Sequence, residues 1–134
     1  MMLHEAFFAY LTAHPLLGGL IGTRLYPQLI PENAPLPAMA YQQISLGDDA
    51  MAHDGPLNVI TTTFQFTCQA ETYNAAQTMV AALRNALHGF SGPMGNEEHT
   101  LKIFFCQQIG KDEDSGIEDA AIIRCDYKFV YLEE

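Results

Sequence analysis

The sharpest alternation of apolar and polar positions runs over residues 60–70, ITTTFQFTCQA, where Ile60, Phe64, Phe66 and Cys68 fall on one side and Thr61, Thr63, Gln65, Thr67 and Gln69 on the other. A period of two with one apolar side predicts a strand that rests on a core and leaves its second side wet or at an interface. Residues 39–46 alternate less cleanly. Ala40, Gln42, Ile44 and Leu46 oppose Met39, Tyr41, Gln43 and Ser45, and neither set is fully polar. With the polar tip GDDAMAHDGPLN between them, these two segments predict a long antiparallel hairpin. A second hairpin is predicted from residues 101–109 and 121–131, joined by an acidic turn over 110–119. In its last strand Ile123, Cys125, Tyr127, Phe129 and Tyr131 face one way and Arg124, Asp126 and Lys128 the other. Ile122 and Val130 interrupt that polar face; extra apolar side chains there point either to a second packing surface, such as another subunit, or to cover by a small helix or strap.

The period changes to 3.6 in two places. Leu3, Phe7 and Leu11 recur at i, i+4, i+8 and predict a helix over 3–14. Tyr73, Ala76, Val80, Leu83 and Leu87 predict the longest helix, over 71–87, with Thr72 as N-cap and Gly89 as stop. Between the first helix and the first strand, PLLGGLIG holds too many glycines for a long helix. YPQLIPENAPLP then predicts an extended or turning surface strap, because each proline fixes φ and biases its predecessor toward extended backbone. Residues 90–96, FSGPMGN, read as a loop. The element order predicts the α+β class: an antiparallel four-stranded sheet of two hairpins with helices packed on one face. The 134 residues predict one domain spanning 1–134.

Charge narrows the choice of partners. Six Lys plus Arg stand against sixteen Asp plus Glu, a formal charge of −10. That argues against binding a phosphate backbone, and fits repulsion of DNA, solubility, or a basic protein partner. No apolar run approaches the roughly 18 residues of a membrane span. Residues 1–11 lack the basic opening of a secretory signal, and Glu5 interrupts them. The three cysteines, Cys68, Cys106 and Cys125, form no CxxC and sit in apolar strand-like runs, which predicts small buried hydrophobes and leaves a disulfide or metal role open.

No catalytic constellation emerges. GFSGP (89–93) lacks the final glycine of the GxSxG nucleophile elbow and follows a helix instead of a strand. With Asp112 as the first position of a calcium loop, Ile117 stands where the obligatory sixth-position glycine belongs, so KDEDSGIED reads as a solvated acidic turn. None of His4, His14, His53, His88 and His99 has zinc-helix spacing; His88 falls where a helix dipole favours it. Asp48, Asp49, His53 and Asp54 cluster on the first hairpin tip, a solvated tip or a partner contact before it is an acid–base site. No cofactor is expected.

Taken in order, the RLYP of PLLGGLIGTRLYP, the APLPAMAYQQIS strand, the DGP at the hairpin tip, the strand-then-helix TTTFQFTCQAETYNAAQTMVAALRNAL, and the closing YKFVYLEE resemble the phage tail-completion proteins over nearly the whole chain. The resemblance implies a structural virion protein, similar in fold to tail-terminator and head–tail joining subunits, that completes the tail and helps join it to the head. It implies a homo-oligomer, commonly a hexameric ring, whose partners are the tail tube and the connector proteins. DNA would pass through its lumen without specific binding, with no membrane involved, in the virion and, during assembly, in the host cytoplasm. No enzyme activity and no catalytic residue accompany the resemblance. Candidate interface residues are Tyr26 and Pro27 at the head of the strap, and Asp48, Asp49, Met51, His53 and Asp54 on the tip. The strap would lie along a sheet edge or reach a neighbouring copy at low ordering cost. The alternative is a ligand-binding or enzyme domain whose pocket is lined by Tyr41, Phe64, Phe66, Tyr127 and Phe129, residues that also suffice as an ordinary core.

Overall fold

The computed structural model describes residues 2–46, 58–114 and 121–133. The elements follow in the order α1 (Leu3–Ala13), α2 (Leu17–Ile21), β1 (Leu25–Pro27), β2 (Ala38–Leu46), β3 (Asn58–Ala70), α3 (Tyr73–Leu87), β4 (Gly92–Gly95), β5 (Thr100–Asp114) and β6 (Ala121–Glu133). The strands form one six-stranded sheet in the order β1-β2-β3-β6-β5-β4, curled into a half-barrel. β1 runs parallel to β2; every other neighbouring pair is antiparallel.

This overturns the expected four-stranded antiparallel sheet with helices packed on one face. Both long hairpins form, β2 with β3 and β5 with β6, and β3 pairs β6 along its full length to join them. Two more strands extend the sheet at its ends. β1 has three residues, one of them proline, and β4 is Gly-Pro-Met-Gly. Strands this short carry no measurable period, and their composition is that of turns. The acidic turn also starts later than expected, since β5 continues through Lys111 and Asp112 to Asp114.

The local chemistry of each element agrees with its sequence. Thr72 caps α3, its Oγ1 accepting from the Ala75 N–H at 3.1 Å. His88 closes the same helix, and Gly89 follows with φ of 80° and donates its N–H to the Cys106 carbonyl. His14 Nδ1 accepts from the Leu16 and Leu17 N–H groups and so tethers the start of the short α2.

One core binds helices to sheet. Phe7 of α1 lies against Tyr41 of β2, Phe64 and Phe66 of β3, and Phe129 of β6. Leu83 and Leu87 of α3 join the same cluster with Cys68, Cys106, Cys125 and Tyr127. The five aromatics suggested as pocket lining therefore belong largely to this packing: Phe66, Tyr127 and Phe129 have no exposed surface.

Candidate interaction surfaces

The strap and β1 form one end of the sheet. Leu25 is buried, Tyr26 is half-buried and Pro27 is exposed. Arg24 accepts the Met39 N–H on its carbonyl, and the Gln28 N–H donates to the Tyr41 carbonyl at 2.7 Å. Arg24 and Gln28, the residues that flank β1, therefore bond β2, and Pro27, which has no N–H, stands where none is needed. The Arg24 guanidinium ties the far end of the strap to α2, donating from Nε to the Pro37 carbonyl at 2.9 Å and from Nη2 to the Leu20 carbonyl at 3.0 Å. The prolines thus deliver a segment along the edge of β2 that would otherwise be open for pairing. Past β1, Gln28 has φ of 67° and the Leu29 N–H donates to the Pro27 carbonyl, a tight turn that leaves Leu29 79% exposed. An open groove of about 410 Å³ lies beside this edge, lined by His4, Pro27, Gln28, Tyr41, Gln42, Gln43 and Phe64.

A second surface lies on β5 and β6, on the side away from the core. The β5 register shifts between Ile103 and Phe105 and again between Gln108 and Gly110. Ile103 and Cys106 are buried, whereas Phe104 and Phe105 between them are 37% and 42% exposed, beside Val130. Ile109, at the second irregularity, is also exposed. A bulge places two consecutive residues against one, so it turns out side chains that strict alternation would have split between the two sides. Lys102 Nζ sits 5.1 Å from the centre of the Phe104 ring. Sequence reasoning missed this patch. The signal present was the phenylalanine doublet in LKIFFCQQI, which breaks the alternation.

Among the predicted interface residues, Tyr26 and Pro27 come together on β1. Asp48, Asp49, Met51, His53 and Asp54 lie outside the described residues. Ile122 and Val130, the apolar interruptions of β6, lie away from the core cluster, Ile122 buried and Val130 half-buried. A polar network ties α3 to β5. The Tyr73 hydroxyl and Gln77 Nε2 both donate to the Glu113 carboxylate, and Lys111 Nζ donates to Gln77 Oε1. Arg84 Nη1 donates to Gln108 Oε1 at 2.6 Å, and His88 Nδ1 accepts the Gln108 N–H. Asp112 to Asp114, the first three positions of the calcium-loop reading, are part of β5, and residues 115–120 of it lie outside the described residues. Among the described residues no three His, Cys, Asp or Glu side chains are grouped to hold a metal ion, and no helix is long and apolar enough to cross a membrane.

The reactive groups of the interior are shielded. Cys68, Cys106 and Cys125 are free thiols with no exposed surface. Burial pushes Cys106 up to about 12 and Cys125 up to about 11 from an ordinary 9.0; burial, helped by Cys125, raises Cys68 as well. Each thiol stays neutral in the fold but ionises near 9 once unfolded. Its contribution to stability is therefore complete below pH 9 and is lost as the pH climbs toward 11–12. Urea midpoints are expected to hold steady from pH 7 to 9 and to fall above it. Ellman titration at pH 8 is expected to detect all three thiols only after denaturation.

The Tyr127 hydroxyl is buried among these thiols and has no hydrogen-bond partner among the described residues. Burial is the main reason its ionisation is pushed up. Tyr127→Phe removes an unsatisfied group at almost constant volume and is expected to stabilise the fold by about 1 kcal/mol. A lower thermal midpoint in the variant would contradict this.

The family model described as Tail completion protein gp17 matches residues 5–115. No curated protein sequence matches the chain. A chain in a solved structure titled "Virion of native gene transfer agent (GTA) particle" is similar in fold, with a TM-score of 0.72 and 17% identity over 98% of this chain and 95% of that one.

Proposed function

Because the chain belongs to the tail completion protein gp17 family and is thus a structural protein of phage tails, we propose that copies of it close the end of the tail tube as a ring and join it to the head. The ring is proposed to be hexameric, built from one domain per subunit, assembled in the host cytoplasm and retained in the virion. The observation that carries this reading is the family match over residues 5–115, which takes in both sheet ends. The fold likeness to a chain of a virion particle supports it. So does the charge of −10, because an acidic lumen repels DNA and lets it slide without adhesion. The side chains on the described surface dock other proteins; no bond is made or broken, and no cofactor is required.

The test is negative-stain imaging of the purified protein mixed with its own tail tubes. Rings confined to one end of the tube are expected. Decoration along the tube, or no binding, would overturn the reading, as would a channel lined by Lys and Arg in the resulting reconstruction.

A further inference from the structure

The edge turn after β1 and the outer side of β5, the last strand but one from the opposite end of the sheet, complement each other chemically. At one end Leu29 is 79% exposed, carried there by Gln28 with φ of 67°, and Glu32 follows three residues on, also exposed. A positive φ at glutamine is a sparsely populated conformation that persists only when the surroundings impose it. Here the Tyr41 carbonyl and the Pro27 carbonyl hold it from either side, accepting from the Gln28 and Leu29 N–H groups at 2.7 and 2.8 Å. The strained turn has one visible consequence, which is to present an apolar side chain to solvent. Toward the other end the bulge between Ile103 and Phe105 places Phe104 and Phe105 together on the outside of β5, with Lys102 beside them and Lys128 on β6 opposite Gln107.

We propose that Leu29 and Glu32 of one copy dock on the Phe104–Phe105 patch of a second copy, with Glu32 meeting Lys102 and Lys128. The inference rests on the ring reading and names the contact that would build it. Charge argues for this occupant. At −10 overall, two copies repel wherever acidic surfaces meet, and Lys102 and Lys128 are two of only six basic residues in the chain. Arg24, Arg84 and Lys111 are already engaged with backbone carbonyls, Gln108 and Glu113, and Arg124 also has an interaction of its own. An acidic, apolar tip therefore finds its complement here. Within one molecule the two patches stand apart: β1 and β5 are separated by β2, β3 and β6, about 19 Å measured along the sheet at ordinary strand spacing. The contact is head-to-tail between unlike patches, which is the arrangement that closes into a ring when the rotation permits.

Sedimentation velocity of the purified protein tests it. At about 50 mM salt the wild type is expected to self-associate as its concentration rises toward 1 mM, and to do so less at about 500 mM. Leu29→Asp and Phe105→Asp are each expected to weaken association by about tenfold or more, and Lys128→Glu by about fivefold. Glu32→Lys combined with Lys128→Glu is expected to recover most of the loss seen in either alone. Ile44→Asp, at an exposed position elsewhere on β2, is the control and should leave association unchanged. Unchanged thermal midpoints establish that the variants fold; Leu29, Glu32, Ile44 and Phe105 are exposed and Lys128 is half-buried. A wild type that stays monomeric throughout, or association indifferent to Leu29→Asp and Phe105→Asp, overturns the contact. Neither result bears on where the protein binds the tail tube, so the tail-end reading stands or falls on the imaging alone.

Discussion

Phe7→Ala is expected to lower the unfolding free energy by about 4 kcal/mol, the upper range for loss of a buried aromatic ring. The ring of Phe7 has no exposed surface and touches three strands at once. Its centre lies 5.0 Å from Tyr41 on β2, 5.1 and 5.2 Å from Phe64 and Phe66 on β3, and 5.8 Å from Phe129 on β6. The first three approaches are edge-on and the fourth is stacked, geometries that add about 0.5–1.5 kcal/mol per pair beyond simple burial. α1 has only 11 residues, too few to be stable alone, so its place on the sheet depends on this contact. Alanine would leave a cavity between rigid rings that cannot all move inward. Against a total stability of about 5–15 kcal/mol, the loss brings the fold close to its limit. Urea unfolding followed by far-UV dichroism measures it. A loss below about 1 kcal/mol would mean that the helix is held elsewhere.

Gly18→Ala is expected to cost about 2–3 kcal/mol, for reasons of space. A Cβ at Gly18 would overlap the Thr12 carbonyl oxygen and stand 3.1 Å from its carbonyl carbon. Both atoms belong to the backbone of α1, so no rotamer change relieves the overlap. Either α2 moves away or α1 loses its last turn. Leu17 and Ile21, which flank Gly18 on α2, are fully buried and resist that movement. At Gly19, one residue on, an added Cβ would meet nothing within 4 Å, and Gly19→Ala is expected to be neutral or slightly stabilising. Equal effects of the two substitutions in thermal denaturation would show that helix propensity, and not packing, governs this turn.

The glycines of PLLGGLIG illustrate the boundary of what the sequence discloses. Their number announces a short, irregular helix, but which of the pair permits the close approach of α2 to α1 depends on where α1 ends in space. The proline strap behaves similarly. RLYP and the prolines announce an extended segment, whereas Arg24 reaching both the Leu20 and Pro37 carbonyls is a tertiary fact. The RLYP motif singled out Tyr26 and Pro27, and the structure places both on β1. The Phe104–Phe105 patch was not legible, because a bulge shifts the period by one residue and only the partner strand decides where that shift falls.

By itself the sequence determined the two long hairpins, the two main helices with the Thr72 cap, the buried thiols and the acidic surface. Each rests on a period or a local hydrogen bond that a few neighbouring residues suffice to specify. Only the tertiary structure decided that the sheet has six strands, that β1 lies parallel beside β2, and that β4 closes the far end. Strands of three or four residues do not form on local preference. They exist because an already formed edge offers unpaired N–H and C=O groups, and that edge comes into being only when distant parts of the chain have met.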